Sequence, residues 1–265
     1  MLALALIPGI ILFFAVWKFD TVEKESPILL LKLFLSGVLV MLADIFIRTL
    51  GHNLMEQSYN GSSILLYIFI DSFIFTALIE EGGRFLALKL LTWKNREFNY
   101  TFDAIVYAVT VSVGFLLTEN ITYLIKYGSA VNPAKLILPL LSQIFISVLM
   151  GYFYGRAKLY AGSGDVKNAR LCTLEAILVP LVLHGMGDMC IATGKTVFIV
   201  IYVIYALLLI SFAVFCLIVM KKNDSEIEWT WNDTDDNDPF EIDVTSLILS
   251  RKKAAEKEDG NESKM

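Results

Sequence analysis

Long apolar runs separated by short polar stretches fill the first 222 positions. Seven runs stand out: Leu2–Trp17, Ile28–Leu50, Ser63–Trp93, Ala104–Ile125, Ala134–Tyr160, Leu171–Thr193 and Val197–Met220. Roughly 20 apolar residues in a helix cross a hydrocarbon layer of about 30 Å. Backbone groups in lipid must bond internally, so the runs predict helices rather than open sheet. The fold class expected is all-α: a polytopic transmembrane helical bundle of about seven spans over residues 1–222, followed by a flexible acidic tail over 223–265.

Two runs carry local punctuation. The third is too long for one straight crossing, since about 30 residues rising 1.5 Å each give ~45 Å. It must tilt, project or break, and Gly82-Gly83 is the expected kink, because glycine pairs are a recognised cause. The first run lacks a basic leader and contains Pro8-Gly9, so it reads as a retained anchoring helix rather than a cleaved signal.

Composition agrees with the membrane reading. Of 265 residues, 56% are hydrophobic, and the mean hydropathy is +0.64, too apolar for a soluble domain of this size. The net charge of −5 is misleading, because residues 223–243 hold acidic side chains and no basic ones. The membrane part is therefore near balance, and no basic stripe suggests nucleic acid. Asp243–Ser250 in the tail has the pattern of a short helix. Cys172, Cys190 and Cys216 are odd in number and scattered, which supports neither a disulfide framework nor a zinc site.

Basic residues concentrate in alternate loops: Lys18 and Lys24, then Lys94 and Arg96, then Arg156, Lys158, Lys167 and Arg170, then Lys221 and Lys222. The other loops offer only Arg48, Lys126 with Lys135, and Lys195. This bias predicts a cell-membrane protein with its N-terminus outside and its tail in the cytoplasm.

Against this background, ionisable residues inside the runs need a reason, since each costs roughly 2.5 to 3.5 kcal/mol at a bilayer centre. Three sites hold them: Glu80-Glu81 with Arg84, Glu119-Asn120, and His184 with Asp188. Residues three or four apart share a helix face, so Arg84 can pair with Glu81 and leave Glu80 turned to the bundle interior. Phe115, Glu119 and Tyr123 form one stripe. Asp188, one turn beyond His184, can orient the imidazole, while Gly185 and Gly187 allow close packing. Buried ion pairing explains Glu81–Arg84 but not the surplus, because Glu80, Glu81, Glu119 and Asp188 outnumber Arg84 and His184. Clustered carboxylates titrate together, and such groups gather at functional sites.

The remaining polar residues read as structural. Asp44 and Arg48 form a helical pair near a membrane end, Asp71 lies in the outer part of its span, and His52 lies in a loop. Asp103, Lys126 and Glu175 sit near helix ends; Lys32 and Lys89 can snorkel. Gln143 is polar within a span and could join the site.

Peptide hydrolysis needs an activated water and a stabiliser for the oxyanion, and a carboxylate with a histidine supplies both. The same acids could bind zinc, but no His-Glu-x-x-His is present and one histidine is a weak zinc signature. No metal or other cofactor is therefore expected. Gly185-Met-Gly187-Asp188 matches the Gly-x-Gly-Asp of presenilin-like aspartyl proteases, yet no Tyr-Asp partner occurs. No serine–histidine dyad of rhomboid type is evident.

Glu80-Glu81-Gly-Gly-Arg84, Phe115-Leu-Leu-Thr-Glu119-Asn120-Ile-Thr-Tyr123 and His184-Gly-Met-Gly-Asp188 together resemble the PrsW family of glutamic-type intramembrane proteases, relatives of the CAAX-processing membrane proteases. Pro8-Gly9, Asp103-Ala-Ile-Val-Tyr107 and Gly151-Tyr-Phe-Tyr-Gly155-Arg-Ala-Lys158 extend the likeness over roughly residues 7–220. Two positions depart from it: Arg84 replaces the usual lysine, and Gln143 stands where a histidine is expected.

The resemblance implies an intramembrane endopeptidase that makes the first cut in a single-span protein, typically an anti-sigma factor in an envelope-stress response. Glu80 is expected to be the general base on water, with Glu119 positioning that water. His184 would stabilise the oxyanion or act as acid, oriented by Asp188. Glu81 and Arg84 would hold the site, and Asn120 is an extra donor; the roles of Glu80 and Glu81 are open to exchange. Two rivals stand beside this reading. One is a non-catalytic membrane scaffold that binds a helix in the same groove, motivated by Gln143. The other is a proton-coupled transporter, because carboxylate–histidine sets also relay protons.

Overall fold

The computed structural model describes residues 2–58, 63–128 and 134–227. The helices are α1 (Leu2–Phe19), α2 (Pro27–Ser58), α3 (Ile64–Ile70), α4 (Ile79–Thr92), α5 (Asp103–Tyr127), α6 (Ala134–Gly162), α7 (Val166–Ala192) and α8 (Thr196–Lys222), with a π-helical segment, Asp71–Leu78, joining α3 to α4. Six of these helices are long and apolar enough to cross a membrane. The α3–π–α4 rod occupies the third apolar run. The outer faces of α1, α2 and α8 carry exposed Leu, Ile, Val and Phe, as lipid contact requires.

The position of the irregularity in the third run corrects the expectation of a kink at Gly82-Gly83. Helix α4 runs through both glycines, and the widened π-helical turns precede the glutamates instead. Gly83 is a packing contact, since a Cβ there would lie 2.7 Å from Cγ1 of Val40 on α2.

Helix α5 is the centre of the bundle. Almost every residue from Asp103 to Leu117 is buried, against α1, α2, α4 and α6. Its crossing with α2 is close because glycines meet backbone on both sides. A Cβ on Gly37 would fall 1.9 Å from the Val111 carbonyl oxygen, and one on Gly114 would fall 2.0 Å from that of Phe34. Small residues at such crossings replace the hydrophobic driving force that lipid removes.

The end of the bundle bearing the basic loops is tied by side chains. Tyr154 packs between Phe85, Trp93 and Phe98, and Lys158 donates to the Trp93 carbonyl at 2.5 Å. Asp165 caps α7 by accepting from the Asn168 amide at 3.1 Å. Beyond α8 the chain stays with the bundle. Asp224 accepts from Thr101 Oγ1 and from the Phe102 amide, both at 3.0 Å, and the Ile227 amide bonds the Asn99 carbonyl at 2.7 Å. The rest of the tail, including Asp243–Ser250, lies outside the described residues. His52, expected in a loop, lies within α2 instead, because that helix extends past the apolar run to Ser58; its side chain and that of Lys135 lie outside the described residues.

Candidate active site

The polar residues of α4, α6 and α7 converge on Arg84. This side chain is the largest that is completely buried, so all its charge must be met by protein. Its guanidinium donates to Glu81 Oε1, to Gln143 Oε1 at 2.8 Å and to Ser112 Oγ at 3.3 Å, and it lies 5.1 Å from the centroid of the Phe115 ring. Glu81 Oε1 also meets His184 Nδ1 at 2.8 Å. Gln143 Nε2 reaches the other ring nitrogen, His184 Nε2, at 2.7 Å. Its carbonyl oxygen must face Arg84, so its amide group must face the histidine as donor. The neutral imidazole then carries its proton on Nδ1 and gives it to Glu81.

α7 comes this close because of Gly185. Phe73 of the π-helical segment lies flat against it, and a Cβ there would sit 2.6 Å from the ring. Single-turn π insertions often mark functional sites; here the segment delivers Phe73 to α7 just before Glu80 and Glu81.

Glu80 belongs to a second network. Its Oε1 is bonded to Arg48 of α2, which also holds Asp44 at 3.1 Å. Its Oε2 lies 3.9 Å from both Arg84 and His184 Nε2. The pairing of Arg84 with Glu81 is as expected from spacing, but Glu80 is not left without a cation. Arg48 and Asp44, read from the sequence as a structural pair, do pair, and Arg48 also reaches Glu80. The charges inside an apolar run were visible, but a contact between positions 48 and 80 has no local signature.

The other expected residues divide. Asp188 Oδ2 faces His184 Nε2 at 3.3 Å, so it meets the nitrogen opposite the one Glu81 holds. Glu119 is near enough to Glu80, Arg48, His184 and Asp188 to feel all four charges. Asn120 turns elsewhere: its amide donates to the carbonyls of Ala5 at 2.9 Å and Leu136 at 3.4 Å, locking α1 and α6 to α5. A cavity of about 20 Å³ lies beside His184, Asp188, Gln143 and Tyr205, enough for one water. A larger apolar groove, about 410 Å³, opens between α2 and α4 along Leu39, Val40, Asp44 and Gly83.

The arrangement thus holds one imidazole and several carboxylates in a membrane interior. Glu81 Oε2 is buried without a hydrogen-bond partner. Five carboxylates (Asp44, Glu80, Glu81, Glu119 and Asp188) face two guanidinium groups and one imidazole. That surplus of acid suits proton transfer to and from a bound water.

Comparison with known proteins relates the chain to membrane proteases. The sequence model of a family described as "PrsW family intramembrane metalloprotease" matches residues 25–218. The chain is 31% identical to "Protease PrsW" of Geobacillus kaustophilus over 68% of its length and 75% of that protein's. It is 30% identical to "Protease PrsW" of Bacillus subtilis, over 68% and 78% of the two chains. A third relative of that name, from Clostridioides difficile, is 28% identical over 78% and 85%. No solved structure matches the chain.

Proposed function

The chain belongs to the PrsW family of intramembrane proteases, and from that premise we propose that it is a glutamic-type endopeptidase acting on a single-span membrane protein. The observation that carries the reading is the coupling of Glu80 and Glu81 to one histidine inside the helical bundle. Glu80 is the general base on water, and Glu119 shares that water. Glu81 fixes His184 through Nδ1, while Arg84 and Gln143 fix Glu81 and the ring. In the reaction the Gln143 amide turns away from Nε2, and His184 takes a proton there and offers Nε2–H to the oxyanion or the leaving nitrogen, with Asp188 Oδ2 beside it at 3.3 Å. Arg48 holds the Glu80 carboxylate in place.

The family's description names a metal, and the residues gathered here bear on whether one fits. Both nitrogens of His184 are bonded, and Glu80 and Glu81 each carry a guanidinium. Among the described residues, the intramembrane acids and His184 do not bring three ligand atoms within 4.8 Å of one another. As arranged, this set does not fit a resident metal ion.

The substrate reading follows from position. Glu119 lies about 24 Å along α5 from Asp103 at 1.5 Å per residue, toward the end away from the basic loops. With the N-terminus outside, cleavage falls in the extracytoplasmic half of the bilayer. The groove between α2 and α4 admits an apolar segment from the membrane plane toward Glu80. A single-span protein of the anti-sigma-factor type, cut first on that side under envelope stress, has the required geometry.

The test is a profile of new protein N-termini in membranes from cells making the wild type or Glu80→Ala at matched levels. Fragments found with the wild type alone, mapping beside a membrane segment, support proteolysis and identify the substrate. Identical profiles under envelope stress favour the scaffold reading. One observation speaks for that rival: Gln143 fills the position of an expected histidine and is bonded on both sides. A scaffold would keep partner binding and phenotype in Glu80→Gln.

A further inference from the structure

The bundle holds a second group of acids, at the end with the basic loops. Asp20 and Glu25 come from the α1–α2 connection and Asp103 from the first turn of α5. All three are buried, and one carboxylate oxygen from each lies within 4.8 Å of the others. One oxygen of each is held by a neutral donor. Asp103 Oδ2 accepts from the amides of Asn99 at 3.2 Å and Tyr100 at 2.8 Å. Glu25 Oε2 accepts from the Tyr107 hydroxyl, and Asp20 Oδ1 accepts from Val22 at 3.4 Å. These bonds orient the set without adding positive charge, and Glu25 and Asp103 also bond each other.

A second, independent observation comes from Asp20. Its Oδ2 is buried with no hydrogen-bond partner, although the residue is only 3% exposed. Burying a charged oxygen without a partner is expensive. Surrounding groups deepen the deficit: Asp224 adds negative potential at Asp20, and Glu97 adds it at Glu25. Lys24 is the cation acting on Asp20, but its ammonium is bonded to the carbonyls of Trp17 and Asp20 and lies over the Trp17 ring.

We propose that Asp20, Glu25 and Asp103 bind a hard divalent cation, of the calcium or magnesium class, which clamps the α1–α2 connection to the N-terminus of α5. The donors are all oxygen, with no imidazole or thiolate among them, which suits these ions rather than zinc or copper. The clamp is separate from the intramembrane site and does not rest on the protease reading. It does act on the same helix, because α5 carries Ser112, Phe115 and Glu119 to the site. Its role is to fix the register of that central helix.

The test uses the full chain, purified in detergent and stripped with chelator. Calcium, magnesium and manganese are titrated separately while the melting temperature is read. Terbium, a calcium substitute, is titrated while its luminescence, sensitised by Trp17 and Tyr107, is read. The expected result is a saturable rise in melting temperature and in luminescence. Affinity should fall at least about tenfold in Asp20→Asn, as expected from lowering the ligand charge, and stay at the wild-type value in Glu80→Gln. Glu25→Gln, which keeps an acceptor for Tyr107, serves where Asp20→Asn does not give a single gel-filtration peak. No saturable response to any of the cations at millimolar concentration overturns the proposal. So does wild-type affinity in the Asp20 or Glu25 variant, or loss of binding in Glu80→Gln, which would put the cation among the intramembrane acids.

Discussion

The two acid clusters of this protein face the same problem and meet it differently. In the membrane interior, Glu80 and Glu81 are each met by a guanidinium, one from α2 and one from their own helix. At the basic-loop end, Asp20, Glu25 and Asp103 are met by backbone amides and a tyrosine hydroxyl, with Lys24 turned to carbonyls. Fixed guanidinium partners make the first cluster part of the bundle's own architecture. The second cluster is oriented but under-neutralised, which is how a site for an exchangeable ion is built. Carboxylate count alone does not tell the two apart; the identity of the donors does.

The sharpest way to break this contrast is to remove Arg84. Arg84→Met leaves Glu81 buried without its cation and unties Gln143 and Ser112. Breaking a buried pair costs about 3–5 kcal/mol, so the variant should lose folded protein, read as melting temperature and gel-filtration yield, whatever cation is present. A wild-type melting temperature would show that Arg84 does not hold the interior.

Next in size are the chemical variants. Glu80→Gln and His184→Ala should each lower cleavage by about 10²- to 10⁴-fold, the range of general acid–base catalysis, while melting temperature changes far less than in Arg84→Met. Cleavage of the substrate found by N-terminus profiling is the readout. Activity at the wild-type level in both would remove the assignment of base and acid.

Arg48 tests whether the outer network is catalytic support or mere pairing. Arg48→Lys keeps the charge but loses the fork that spans Asp44 and Glu80. It should cost less activity than Glu80→Gln and more than Asp44→Asn, compared as initial cleavage rates. Equal rates in Arg48→Lys and the wild type would return the pair to the structural role its spacing suggests.

The smallest effect expected is at Asn120. Asn120→Ala removes two bonds to the carbonyls of Ala5 and Leu136. Net hydrogen bonds contribute about 0.5–1.5 kcal/mol each, so thermal stability should fall modestly and the cleavage rate of the folded fraction should hold. A collapse of activity with stability unchanged would bring Asn120 back to the reacting centre.

Much of the molecule follows from local pattern. The limits of the apolar runs fall close to the helix ends, because transfer of about 20 residues into hydrocarbon is a property of composition. Glu81 and Arg84 pair because residues three apart on one helix share a face. The pairing of Glu80 with Arg48 was hidden, since it joins α4 to α2 through tertiary packing. The π-helical turns at Asp71–Leu78 were hidden as well: glycine marks a weak point in a helix, but here the backbone widens at the stretch that delivers Phe73 to Gly185 on α7.

By itself, then, the sequence determined that this chain is a helical membrane bundle and that three of its segments carry charge no lipid would tolerate. Hydropathy and helix periodicity act over a few turns and need no partner. The tertiary structure decided which charge neutralises which. It put Glu81, not Asp188, on Nδ1 of His184, aimed Asn120 at helix carbonyls, and gathered Asp20, Glu25 and Asp103 from distant positions into one cluster. Electrostatic partners are chosen by distance in space, and in a bundle that distance is set by how the helices cross.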